Sequence, residues 1–133
     1  MVTLADVLAW LKALGAPEGV GGWTIARLDA SKERRIGVYQ RPTLGPRDVA
    51  IGGDAATLTR VKRLQLLVHW TANARDTELA AQALQDALVA VGHPTIGEHV
   101  ASYIEPLQPE PVDLGPDEGG IFERSIDLNI HYQ

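Results

Sequence analysis

The stretch FERSIDLNIHY, residues 122–132, alternates without a lapse: Phe122, Arg124, Ile126, Leu128, Ile130 and Tyr132 fall on one side of an extended chain, and Glu123, Ser125, Asp127, Asn129 and His131 on the other. Successive side chains of a strand point to opposite faces, so this is a strand with one mostly apolar and one wholly polar face. Such a strand belongs to a sheet packed on one side only, and any helices must lie on its apolar side.

A partner strand is legible upstream. In RVKRLQLLVHW, residues 60–70, Leu64, Leu66, Val68 and Trp70 face one way while Arg63, Gln65, Leu67 and His69 face the other. Directly after it, Asn73 suits a helix N-cap with Asp76 and Glu78 in the first turn. Leu79, Ala80, Ala83, Leu84, Ala87, Leu88 and Val91 then form an apolar stripe that Gly92, His93 and Pro94 end. A second amphipathic helix is expected over about residues 4–14, with Leu4, Val7, Leu8, Leu11 and Leu14 at helical spacing, Thr3 as its cap and Gly15 with Pro17 as its stop.

Trp23 to Asp29 and Arg35 to Gln40 read as two strands joined by the polar turn Ala30–Glu33, that is, as a β-hairpin. Arg41 to Arg47 reads as a loop, and Val49–Ile51 as a brief strand turned by Gly52 and Gly53. Thr95–Gly97 and Val100–Ile104 suggest a strand bent near Gly97. Pro106, Pro109 and Pro111 then forbid an interior ladder strand and stiffen the chain into an extended arm. The expected architecture is one α+β domain over residues 1–133, with an antiparallel or mixed sheet of four to six strands, two helices packed on one face and a proline-rich extended loop at about residues 105–120.

Composition narrows the chemistry. At 133 residues with 45% apolar and 22% charged side chains, the chain can bury a core of its own. The start MVTLAD has no basic segment before its apolar residues and Lys12 interrupts the run, so neither a signal peptide nor a membrane span is expected. The absence of cysteine removes disulfides, thiolate metal sites and cysteine nucleophiles. A net charge of −5, with Lys32, Arg34 and Arg35 as the densest basic cluster, argues against tight nucleic-acid binding.

The four histidines, His69, His93, His99 and His131, form no His-Glu-x-x-His pattern or compact carboxylate–histidine cluster in the sequence, and surface or interface roles are expected for them. Ser31, Ser102 and Ser125 sit in no nucleophile elbow. Trp10, Trp23 and Trp70 lie in separate elements and read as core or interface anchors. No catalytic residue, metal or cofactor is expected. A small cytosolic enzyme with a cryptic histidine site is the alternative from another class.

Three segments carry more than periodicity: ARLDASKERRIGVY (26–39), LLVHWTANARDTE (66–78) and PEPVDLGPDEGGIFE (109–123). In them the chain resembles the minor capsid protein family of tailed bacteriophages, whose members are similar to tail-terminator and tail-completion proteins. The resemblance implies a structural virion protein of the tail or neck, assembled in the host cytoplasm. It would form a homo-oligomeric, hexameric ring that caps the tail tube and joins it to the head. Its partners would be further copies of itself, the tail-tube protein and a head-completion or neck protein, with DNA passing through unbound and no membrane involved. A head-closure or connector protein on the capsid side is the alternative within this class.

No catalytic residues carry over from the family. Exposure patterns assign Lys32, Arg34, Arg35, Tyr39, Leu107, Pro109, Pro111, Asp113 and Asp117 to subunit or tube contacts, and Glu123, Asp127, Asn129 and His131 to the lumen or exposed sheet face.

Overall fold

The computed structural model describes residues 1–42 and 60–133. The brief strand expected at Val49–Ile51, and the loop expected beyond Pro42, lie outside the described residues. In chain order the elements are α1 (Leu4–Leu14), β1 (Gly22–Ile25), β2 (Arg35–Gln40), β3 (Arg60–His69), α2 (Ala74–Ala90), β4 (Thr95–Ile96), β5 (His99–Pro106), β6 (Val112–Pro116) and β7 (Phe122–Tyr132).

The alternating stretch at the C-terminus becomes the centre of the molecule. Strand β7 pairs antiparallel with β3 along its whole length, from Arg60 opposite Tyr132 to His69 opposite Glu123. On its other side β5 takes the C-terminal half of β7 and β6 the N-terminal half. The sheet runs β1-β2-β3-β7-β5-β4 with β6 on β7, seven strands among the described residues if the two-residue β4 is counted. Leu64 and Leu66 oppose Leu128 and Ile126, and Val38 opposes Leu66, so register places the apolar residues of three strands on one face.

Both helices cover that face. Val7, Trp10 and Leu11 of α1 and Leu84 and Leu88 of α2 join Ile36, Val38, Leu64, Leu66, Val68, Ile126, Leu128 and Ile130 in a single buried cluster. Helix α1 begins in a capping box in which the Thr3 hydroxyl accepts from the Asp6 N–H and the Asp6 carboxylate accepts from the Thr3 N–H. Hydrogen bonding to the carboxylate by Thr3, from its backbone N–H first and its side chain second, holds the Asp6 carboxyl below its usual value. The β4–β5 turn closes on the same point: Gly97 has φ +62°, and a Cβ there would lie 2.7 Å from Asp6 Cγ.

Helix α2 starts at the expected cap, where Asn73 Oδ1 accepts from the Asp76 N–H, and runs 17 residues, about 26 Å. Its buried stripe is rolled relative to the sequence expectation. Thr77, Ala81 and Gln85 point inward with Ala80, Leu84 and Leu88, whereas Leu79 is 54% exposed and Ala83 is also outside. A polar side chain takes an inward position because Gln85 Nε2 donates to the carbonyls of Gln108 and Pro109, each at 3.2 Å.

The hairpin expected from β1 and β2 does not form. The two strands pair in parallel, Gly22 opposite Arg35 and Ile25 opposite Val38. Residues 26–34 carry the chain back to the start of the sheet, bounded by Ala26 (φ 59°) and Arg34 (φ 58°), both in the left-handed region. The Ala26 N–H donates to the Val38 carbonyl at 2.8 Å and the Arg34 N–H to the Trp70 carbonyl at 2.7 Å. Alternation identifies strands but not their direction. Here backbone pairing of the return loop with β2 and with the end of β3 sets it.

Candidate functional site

The face opposite the helices is polar but not bare. Gln65, Asp127, Asn129 and His131 are half-buried and Ser125 is buried; neighbouring side chains hydrogen-bond Asn129 and His131, whereas Asp127 Oδ1 is buried without a hydrogen-bond partner among the described residues. Glu105 Oε1 lies 2.9 Å from His131 Nε2 and accepts from Asn129 Nδ2 at 3.2 Å; these two bonds, His131 first, lower the Glu105 carboxyl. Arg41 donates to the Asn129 side chain and, at 3.0 Å, to the Leu64 carbonyl. Tyr103 stacks on the His131 ring at 5.7 Å. Asp127 accepts from Gln108 Nε2 at 3.3 Å.

The proline-rich segment is not one continuous free arm. Strand β5 reaches Pro106 opposite Leu128, the Leu107 N–H donates to the Asp127 carbonyl, and β6 pairs with the start of β7. Pro111 is buried, while Pro109 is exposed. The prolines bracket edge strands instead of interrupting a ladder, which is where a residue without an N–H fits. What faces outward is the apolar trim of this edge: Val100, Tyr103, Leu107, Val112 and Leu114, from 37% to 58% exposed. Among the described residues β6 pairs only with β7, and β1, at the other end of the sheet, only with β2.

The basic cluster is spread over the neighbouring loop. Lys32 is exposed at the turn after Asp29; Arg34 lies 5.8 Å above the Trp70 ring; Arg35 donates to the Gly21 carbonyl at 2.8 Å. Arg34 and Trp70 border an open groove of about 410 Å³ with Pro17, Asp76, Leu79 and Ala83. The Tyr39 ring folds back over Gly37, whose Cβ, if present, would lie 2.7 Å from Tyr39 Cε2. Burial, and secondarily the Glu123 charge, raise its hydroxyl. Asp113 is exposed, accepts from the Gly115 N–H and lies 3.8 Å from the Arg124 guanidinium; pairs of this exposed kind contribute little stability.

Two residues assigned to separate roles, Asp117 and Glu123, instead converge on a third. His69, expected on a solvated sheet face, is fully buried. Its Nδ1 lies 2.9 Å from Glu123 Oε2 and 3.7 Å from Asp117 Oδ2, and its Nε2 lies 3.1 Å from the Ala30 carbonyl. The sequence showed no compact carboxylate–histidine cluster, yet the β3–β7 register and the turn after β6 assemble one from residues 48 and 54 positions away.

The fold defines the class: an α+β protein with two helices on one face of a mixed sheet, a half-buried polar face opposite and an apolar outer edge. Among the described residues no helix is long and apolar enough to cross a membrane. The chain belongs to a family of bacteriophage tail terminator proteins, whose family model matches residues 2–133. It is therefore a structural protein of the phage tail. No curated protein matches the sequence.

Proposed function

We propose that this protein closes into a ring that caps the tail tube and then presents a surface on which the head docks. The observation that carries the reading is the apolar outer edge, where Leu107, Val112 and Leu114 stand in water beside a strand with one partner among the described residues. An unpaired edge with apolar side chains is a template for another chain. A ring of identical subunits needs two different complementary surfaces on each copy. The β6 edge and the β1 edge, at opposite ends of the sheet, are the pair we assign. The polar face bearing Asp127, Asn129 and His131 would then line the lumen, where a net charge of −5 lets DNA pass without being held.

Capping follows from geometry in this reading. A closed ring fixes a diameter, covers the growing face of the tube and offers a new face to a neck protein. The test is the mass of the purified protein, alone and mixed with tail-tube protein, together with tail lengths in electron micrographs. A discrete ring mass, alone or on tubes, and tails of uniform length are expected. A protein that stays monomeric in both conditions refutes the reading.

A further inference from the structure

With a neutral ring, the cluster around His69 has a surplus of acceptors. The Ala30 carbonyl can only accept, so His69 Nε2, 3.1 Å away, carries the hydrogen. In the neutral ring Nδ1 is then a bare lone pair, and it points at two carboxylate oxygens, Glu123 Oε2 at 2.9 Å and Asp117 Oδ2 at 3.7 Å. Three acceptors facing one another need either a second proton on the ring or a metal cation among them.

The surroundings are those of a built ligand set. The Ala30 carbonyl orients the ring, and the other oxygen of Asp117, Oδ1, accepts from the Gly119 and Ile121 N–H groups, each at 2.9 Å, whereas Oδ2 takes no hydrogen bond among the described residues. Backbone partners that orient a ligating histidine and carboxylate in this way are the usual outer layer of a metal site. Bonds of about 2.1 Å to one ion place ligand atoms about 3.0 Å apart at right angles and about 3.6 Å apart at 120°, close to the two separations from Nδ1. His69 is sealed from water, whereas the Asp117 and Glu123 side chains are 18% and 20% exposed, so an ion has a way in and water can complete its shell.

We propose that His69 Nδ1, Asp117 Oδ2 and Glu123 Oε2 bind one divalent transition-metal ion, with Zn²⁺ the best match to one imidazole nitrogen and two carboxylate oxygens. The ion ties together the end of β3, the start of β7 and the 117–121 turn, and through Ala30 it steadies the 26–34 link. Its role is structural: it secures the loops that flank the β6 edge. This inference does not depend on ring formation, and its readouts are separate from assembly.

The test uses untagged full-length protein stripped with a chelator and titrated calorimetrically with Zn²⁺ or Mg²⁺ near neutral pH. One Zn²⁺ per chain with Kd below about 10 µM, and much weaker Mg²⁺ binding, are expected. Glu123→Gln and Asp117→Asn each weaken Zn²⁺ by at least about 10- to 100-fold, whereas His131→Gln leaves binding unchanged. Metal-free Glu123→Gln melts no lower than the metal-free parent, because its amide N–H can donate to Nδ1. Asp117→Asn keeps the Oδ1 acceptor and provides a second folded variant. The proposal is overturned if no saturable Zn²⁺ binding occurs or if both variants bind as the parent does. It is also overturned if nitrogen NMR of protein unable to bind Zn²⁺ finds hydrogens on both His69 ring nitrogens, a second proton having filled the gap.

Discussion

Replacing Val112 and Leu114 together by lysine separates folding from assembly. The two side chains are already 37% and 51% exposed, so lysine, whose stem can lie along the same apolar surface, changes fold stability by about 1 kcal/mol or less. For a domain of this size that corresponds to a melting shift of roughly 3–6 °C at most. In an interface the remaining exposed parts are worth about half of a fully buried aliphatic side chain each, together about 2 kcal/mol. That is roughly a 30-fold weakening of each contact. A closed ring carries the loss at every interface, so the factor is raised to the power of the copy number and rings vanish at micromolar protein. Mass photometry and thermal melting on the same sample read both effects. Intact rings in a variant that melts normally would refute the edge as the subunit contact; a collapse in melting temperature would refute its freedom.

Three further outcomes test the fold and its polar face. Leu84→Ala, which removes a fully buried side chain beneath α2, should cost about 2–5 kcal/mol in urea unfolding. A loss below about 1 kcal/mol would mean that α2 is not seated there. Thr3→Ala removes the acceptor in the α1 capping box and should cost about 1 kcal/mol with no change in the helical content of α2 by circular dichroism. The Glu105 carboxyl is lowered in the folded protein, so its contribution is complete above the unfolded value of 4.5 and is lost as pH falls through the folded value. Glu105→Gln should therefore lose less stability between neutral and acidic pH than the parent, and equal losses across a pH series of urea midpoints would refute the His131–Glu105–Asn129 account.

Much of the core was legible because it rests on periodicity. The even-numbered residues from Leu64 to Val68 and from Ile126 to Ile130 are buried as their alternation requires, and both helix caps stand at Thr3 and Asn73. Local chemistry is sufficient there: a capping oxygen needs a donor three residues on, and a half-buried strand needs one dry side. The roll of α2 was less legible, since Leu79 and Ala83 fit a helical stripe as well as Thr77 and Ala81 do. What selects the second set is Gln85 reaching two carbonyls of a turn more than twenty residues away.

By itself the sequence determined the class of fold, the two helices, the central strand pair and the apolar face they share, because each depends on neighbours within one turn or one pleat. Only the tertiary structure decided that β1 runs parallel to β2, that the prolines border docked edge strands, and that His69 is enclosed with Asp117 and Glu123. Those features depend on pairing between distant segments, and the hydrogen bonds that choose among pairings leave no period in the chain.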